Sequence, residues 1–507
     1  MAVLLLLSAC GVIGLPPGSN SEAPLRIAVR QPQTFDPALA RDPAAVLVGR
    51  QVFQPLVQFH PKTLALQPGL AESWKVLDGA SRFTLKLRRG ARFHNGRPVE
   101  AEDVVYSLNR LASSSTRSDL AFLLDAVAGY REYREETASS LAGISAPDAS
   151  TVEIKLSAPW YDFLYALTHP ATAPLPRDLD PAILKNSPVG SGPFRVAGPV
   201  VAGEDIVLER FDGFRPKPLV ESVRLLIYEP GQQWKDFENG LTDIAEVPVG
   251  RLSAARGKYG SAGLSPGAAG VFLGFNTARV PDVAVRRAIS NAIDRRAIAT
   301  DVFGGVLTPA NSLVPPGLPG HTPGACGRLC AFDPASGKSV FAGFRAQGGP
   351  ALGLDYQEGR AQDKLAGTIR SQLAAAGLDL ELRSSALPDF FKALQERRQD
   401  VFRLGWAADY PLAEWFLAPL LHSGSPDNYA GFSDPQVDGW IAQARSEADR
   451  VEKLRLYRLI EKRALESAAI VPIGFLRNHW AAAPRVKGFY VDPVGGFQMA
   501  RFSLGSE

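Results

Sequence analysis

Two hydrophobic periods interleave along the whole of this 507-residue chain, and that interleaving constrains its fold more than any other feature. "PLRIAVRQ" alternates Leu25, Ile27 and Val29, and "SRFTLKLRRG" alternates Phe83, Leu85 and Leu87, so both read as strands. "TVEIKLSAP", "EDIVLERF" and "AAIVPIGF" read the same way, the last interrupted by Pro472. Between them, "EAEDVVYSLNRLA" places Val104, Val105, Leu108 and Leu111 on one helical stripe. "PDVAVRRAISNAIDRRAIATDVFGG" carries Val285, Ala288, Ile289, Ala292 and Ile293 at helical spacing, with Asp282 as N-cap and Gly304 as stop, and predicts one helix. "DKLAGTIRSQLAAAGLDLELRSS" predicts a helix stopped at Gly377 and then a strand, and "DRVEKLRLYRLIEKRALES" a further helix. Strands and helices mixed throughout predict α/β layers, not a sandwich or a bundle. The length suggests about three domain-sized units.

Bulk properties exclude several partners. The 55 basic and 52 acidic residues leave a formal charge of +3, which carries no nucleic-acid or polybasic-membrane signal. "MAVLLLLSAC" is too short an apolar run to span a bilayer. It resembles the end of a bacterial lipoprotein signal, in which cleavage leaves Cys10 first and lipid-modified, and the Gly/Pro/Ser-rich "GVIGLPPGSNSEAP" follows as a linker. No Lys or Arg precedes the run as a signal n-region requires, which fits a start codon further upstream. An exported, lipid-tethered protein in the periplasm or at the cell surface is expected, touching the membrane only through its anchor. In that compartment Cys326 and Cys330, four apart in a Gly/Pro-rich loop, favour a small disulfide over a metal site with His321.

No enzyme signature stands up. "ASGKS" at 335–339 resembles a phosphate loop but has Phe332 where the first glycine belongs, and "GSG" at 190–192 lacks a nucleophile elbow. The six histidines are scattered singly. No catalytic residue, metal or cofactor is expected.

Several stretches together resemble the family 5 extracellular solute-binding proteins, the peptide- and nickel-type receptors of ABC importers. They are "GLAESW" at 69–74, "FHNG" with "AEDV" between 93 and 104, "SPVGSGPFRV" at 187–196, "FLGFNTARVPDVAVRRAISNAIDRRAI" at 272–298, and "WAADYP" with "NYAGFSDPQVDGWIAQAR" at 406–445. The resemblance runs in order from about residue 25 to the end. It implies a two-lobed periplasmic-binding-protein fold with mixed sheets, a hinge, and an extra subdomain in the first lobe. Residues 1–23 would be signal end and linker. Residues 24–47, 187–270 and 475–507 would form a discontinuous lobe I, 48–186 the inserted subdomain, and 271–474 lobe II. Breaks at 186–188, 267–270 and 474 coincide with these crossovers. The sequence departs from the family in three places: Leu412-Ala413 where an acid often follows the Asp-Tyr-Pro, Glu100 where a Thr usually caps the helix, and an unusual segment after Asp333-Pro334.

The stretch "VFRLGWAADYPLAEWF" (401–416) bears on the ligand. As a strand it puts Val401, Arg403 and Gly405 on one face and Phe402, Leu404 and Trp406 on the other. Gly405 leaves room beside the Arg403 guanidinium, and Asp409 lies just past the strand end, where α/β folds place ligand groups. Residues 403 and 409 are separated by at most roughly 20 Å of extended chain, and a tripeptide spans roughly 10 Å. The resemblance assigns Asp409, three after Trp406, to a peptide amine, and Arg403, three before it, to a carboxylate. An ion pair of Arg403 with Asp400 or another acid, and core packing for Trp406, are the structural alternatives. Tyr410, Asn428, Phe275, Asn276, Gln33 and Thr34 are further candidate wall residues, each with a turn or hinge role as the alternative. A receptor for short peptides, monomeric and working with the permease and ATPase subunits of an importer, is expected. Receptors for nickel chelates (with His422 as the nearest ligand), haem, glutathione or oligosaccharides, and a chaperone or signalling use of the fold, are the alternatives.

Overall fold

The computed structural model describes residues 23–229 and 231–505. Cys10 and the expected signal and linker through residue 22 lie outside the described residues. Three larger sheets organise the chain. The first holds six strands in the order Trp480–Ala482, Ile244–Glu246, Leu25–Val29, Ser222–Ile227, Ile206–Arg210 and Phe194–Val196. Leu25–Val29 is parallel to both neighbours, and the outer strands are antiparallel, so the sheet is mixed.

The second sheet also holds six strands: Leu307–Pro309, Ile470–Arg477, Pro266–Phe275, Val401–Ala407, Leu352–Gln357 and Leu380–Ser385. Its core includes Val285 and Ile289 of the Val283–Asn291 helix and Leu365, Ile369 and Leu373 of the Arg360–Ala375 helix, all buried. The third sheet has four antiparallel strands, Ala71–Leu77, Arg82–Leu87, Thr151–Lys155 and Ile144–Asp148. Phe83, Leu85 and Leu87 cluster with Val104, Leu108 and Leu111 of helix Ala101–Ala112, while Val105 is only partly buried at the edge of that stripe.

The "FHNG…AEDV" and "GSG" stretches are structural joints. Arg97 donates to both Asp103 oxygens (2.9 and 2.8 Å), and the Asp103 carboxylate also accepts the Glu100 N–H (2.9 Å). The helix beginning after Glu100 therefore keeps a backbone cap without Thr. His94 holds the segment 190–192 through both ring nitrogens, to Gly190 N–H (3.3 Å) and Gly192 carbonyl (3.1 Å). A Cβ at Gly190 or Gly192 would lie 2.1 Å from the Val52 carbonyl or 2.3 Å from that of Gln51, so only glycine fits.

Two expectations change. The helix read over 281–305 breaks in two: Val283–Asn291 ends, and Asp294 caps a new turn by accepting from Arg296 and Ala297 N–H (2.9 and 3.0 Å). Helical periodicity ran across that break and masked the cap. The glycines at 267–270 and 474 are not breaks but lie inside Pro266–Phe275 and Ile470–Arg477, adjacent antiparallel strands whose register shifts between Pro266 and Gly270. Glycine is needed there for close packing, since a Cβ at Gly474 would lie 2.5 Å from Leu307.

Cys326 and Cys330 are disulfide-bonded, with Cα atoms 5.6 Å apart. His321 Nδ1 is occupied by Ser312 Oγ and the Val314 carbonyl (3.0 and 2.8 Å), not by a metal site with these cysteines. Among the described residues no helix is long and apolar enough to cross a membrane, and no group of three His, Cys, Asp or Glu could hold a metal.

Candidate functional site

Strand Val401–Ala407 is paired with Pro266–Phe275 along its whole length, from Val401 opposite Phe275 to Ala407 opposite Ala269. Toward Leu352–Gln357 its pairing stops after Phe402. In an antiparallel ladder alternate residues turn their N–H and C=O to the same neighbour. The Ala408 N–H donates to the Ala268 carbonyl (2.9 Å), so Trp406 and Leu404 face that side and Arg403, Gly405 and Ala407 face the other. The Arg403 carbonyl, both backbone groups of Gly405 and the Ala407 N–H therefore lie on an edge with no partner among the described residues. Gly405 and Ala407 are exposed. The Ala407 carbonyl is the exception, accepting from Trp415 Nε1 at 2.8 Å.

The side chains bracketing this edge are also unpaired. Among the described residues Arg403 makes no ion pair, and its Nε is buried without a hydrogen-bond acceptor. Burial lowers its pKa. Asp400 is taken elsewhere, by Arg279 Nε (2.6 Å), Arg383 (3.4 Å) and Gly353 N–H (3.1 Å), so it is not the structural partner of Arg403. A Cβ at Gly405 would find only the Gly270 carbonyl, at 3.9 Å, so the space beside Arg403 is open. Asp409 carries no hydrogen bond or ion pair among the described residues. Burial pushes its pKa up to about 6, opposed by the charges of Arg41 and Arg50.

The edge ends at a cavity of about 490 Å³ between the two six-stranded sheets. The first sheet contributes Val29 to Gln31 at the end of its central strand, together with Gln33 and Trp480. The second contributes Gly267 to Ala269, Ala407 and Ala408. Of this segment only Ala407 and Ala408 line the cavity; Arg403, Gly405, Trp406 and Asp409 do not, and Gln33 faces it from the opposite side. Thr34 instead closes a turn, accepting from the Asp36 N–H at 3.1 Å.

Four expected wall residues turn inward. Phe275 is fully buried in the core of the second sheet. Asn276 donates to the Arg397 carbonyl (2.8 Å) and accepts from Ala278 N–H (3.1 Å). Asn428 is consumed by the 422–432 loop, donating to the His422 and Phe432 carbonyls (3.1 and 2.7 Å) and accepting from Phe432 N–H (3.0 Å). Tyr410 is buried against Trp415, ring centroids 4.8 Å apart, in the core around the four-stranded sheet. His422 is exposed and accepts from Gly424 N–H (3.1 Å), away from the cavity wall. Trp406 is partly buried, its indole donating to the Trp415 carbonyl at 2.8 Å. Trp415 itself was not expected; a tryptophan in an apolar run reads as core, and its target carbonyl is visible only in three dimensions.

The open strand edge thus runs beside an intersheet cavity, with one base and one acid on its segment that make no ion pair among the described residues. Residues 65–428 match the model of the bacterial extracellular solute-binding proteins, family 5. The chain belongs to that family. It is 25% identical to the oligopeptide-binding protein OppA of Bacillus subtilis, over 97% of this chain and 95% of that one. It is 26% identical to the glutathione-binding protein GsiB of Escherichia coli K12, over 92% and 91% of the two chains. The fold matches the Escherichia coli murein tripeptide-binding protein MppA at a TM-score of 0.76 and 25% identity, covering 96% and 99%. It also matches Haemophilus influenzae OppA bound to the peptide RPPGFSPFR at a TM-score of 0.74 and 23% identity, covering 96% and 100%. The mixed sheets are those of the periplasmic binding proteins.

Proposed function

We propose that this chain is an extracytoplasmic receptor that captures short peptides between two lobes and delivers them to the permease and ATPase subunits of an ABC importer. Lobe I comprises 24–47, 187–270 and 475–507 around the first sheet, 48–186 is its inserted subdomain, and 271–474 is lobe II. The adjacent strands Pro266–Phe275 and Ile470–Arg477 then carry the hinge. The chain works as a monomer, tethered through a lipidated Cys10.

One observation carries this reading: the open edge of Val401–Ala407 lies between Arg403 and Asp409, neither of which has a charge partner among the described residues. A peptide is the ligand that supplies a strand, an amine and a carboxylate together. Main-chain pairing with an edge gives affinity without regard to side chains. The names of the relatives, which bind oligopeptide, murein tripeptide and glutathione, are consistent with it. Glutathione, with an amine and carboxylates of its own, can use the same two charges and is the second reading.

The test is a thermal-shift screen of the purified chain with a library of di- to pentapeptides and with glutathione. A bound ligand at a hundred times its Kd stabilises by about 2.7 kcal/mol. Absence of any shift across both sets sinks the proposal.

A further inference from the structure

The wall of the intersheet cavity carries an acid that the open edge does not use. Glu246 ends the strand Ile244–Glu246 of the first sheet and lines the cavity together with Trp480 of the neighbouring strand. The two strands are antiparallel and Glu246 stands directly opposite Trp480, so both side chains leave the same face of the sheet as close neighbours. Ile244 and Trp480 pack on the core that holds Leu25, Ile27 and Val29, whereas Ala245 and Ala481 pack on the opposite face with Ala28. The Glu246 side chain is half-buried and makes no hydrogen bond or ion pair among the described residues.

The other charges on the cavity wall are placed differently. Arg30 follows Val29 and by alternation leaves from the face of Ala28, away from Glu246 and Trp480. Arg477 donates through Nε to Thr308 Oγ1 (2.7 Å), and Asp42 caps the helix Pro43–Val52 by accepting from Ala45 N–H (2.9 Å). Phe497 packs on the Trp480 ring in a T-shaped arrangement, centroids 5.4 Å apart, and fixes the indole against the core. A free carboxylate beside an anchored indole is complementary to a cation: the acid supplies the opposite charge and the ring its negative face.

On the peptide-receptor reading given above, on which this inference rests, the cation arrives as a side chain of the ligand. Ala407 and Ala408, at the end of the open edge, form part of the same cavity, and its volume of about 490 Å³ accommodates a long side chain. We propose that Glu246 and Trp480 form a subsite for a basic side chain, lysine or arginine, of the bound peptide and bias the receptor toward cationic peptides. Glu246 is the charge partner and Trp480 the platform on which the side chain lies.

The experiment is titration calorimetry with alanine tripeptides that carry lysine at the first, second or third position. Each is compared with the same peptide carrying norleucine, which keeps the aliphatic chain and removes the charge. At the position that reaches the subsite, lysine should bind about tenfold tighter than norleucine. Glu246→Gln should bring that ratio close to one, and Trp480→Leu should lower it by about threefold. Glu246→Lys should make glutamate at the same position the preferred side chain. Melting curves check that each variant is folded. A purely structural role for Glu246 would weaken the lysine and norleucine peptides alike and leave their ratio unmoved, which overturns the inference. Lysine no better than norleucine at any position of the wild type overturns it too. If neither these nor any other peptide binds, the receptor reading fails with it; if the norleucine peptides bind and lysine brings no gain, only the inference fails.

Discussion

Asp409 and Glu414 lie five residues apart on one segment and have opposite surroundings. Glu414 is buried and fully used: it accepts from Arg445 Nε (2.6 Å), Trp160 Nε1 (3.2 Å) and Tyr457 Oη (3.3 Å), and the Arg445 guanidinium lies 5.0 Å from the Trp160 ring. Asp409 has no partner at all among the described residues. The same contrast separates two arginines. Arg295, deep in the second sheet's core, donates to the carbonyls of Pro472 (2.8 Å) and Ser290 (3.0 Å) and to Ser290 Oγ (2.7 Å). Arg403 has none of this. It separates two glycines as well: a Cβ at Gly274 would lie 2.0 Å from the Phe402 ring, whereas one at Gly405 would meet nothing closer than 3.9 Å. Partly buried unpaired charge costs stability; on the receptor reading proposed above, a ligand supplies the partners that Arg403 and Asp409 lack among the described residues.

Substitutions can break this contrast. The largest effect is expected from Gly405→Val. The strand tolerates the side chain, so the melting temperature should hold, but the branched group fills the space beside Arg403, and peptide binding should weaken by more than about a hundredfold, consistent with loss of several kcal/mol of contacts. Gly274→Val should behave oppositely, unfolding the lobe before any ligand is added. If Gly405→Val binds normally, the peptide does not use this edge.

Next is Asp409→Ala. Losing one partner of a hydrogen-bonded charge pair costs about 2–4 kcal/mol of affinity, a thirty- to thousandfold weaker Kd by calorimetry. Its melting temperature should not fall, since the carboxylate it removes has no partner in the free protein. Glu414→Ala should do the reverse. It strands the Trp160 and Tyr457 donors and half-exposed Arg445, and about 2–3 kcal/mol of stability should be lost in denaturant titration. Equal stability losses for the two acids would erase the distinction between them.

The layered α/β fold was legible because the strand and helix periods are clean, as with Phe83, Leu85 and Leu87 or Leu365, Ile369 and Leu373. Arg403, Gly405 and Asp409 stood out in the sequence because charge beside a glycine in an apolar strand is anomalous on its own, and the structure leaves both charges without an ion pair among the described residues. The inward turn of Tyr410, Asn428, Phe275 and Asn276 was not. Their positions next to the segment are local, but their side chains are committed by distant groups: the carbonyl of Arg397 for Asn276, and the core around the four-stranded sheet for Tyr410. Glu414 illustrates the same limit: it lies close to Asp409 in sequence, yet Arg445, 31 residues on, claims it as a structural joint. Sequence shows which charges are out of place, and only packing shows which of them found partners.

The smallest expected effect is on pH dependence, and it sharpens the assignment of Asp409 most. In the free protein burial raises its carboxyl pKa to about 6. A bound ammonium favours the ionised form and lowers that value, so binding below pH 6 must release a proton. Affinity should therefore be flat between about pH 6.5 and 7.5, and weaken by about tenfold for each unit below 6 until the bound-state value is reached. Above about pH 8 it should fall again as the ligand amine loses its own proton. The raised carboxyl also works against the free protein: its ionisation disfavours the folded state, so the stability it contributes is present at low pH and lost as pH rises through about 6. Asp409→Asn removes both effects together, flattening the acid limb of the affinity profile and slightly stabilising the ligand-free chain at pH 7. Calorimetry in two buffers of different ionisation enthalpy reads the released proton directly. An affinity that is the same at pH 7 and pH 5, with no proton released, would show that the ligand's charge is met somewhere other than Asp409.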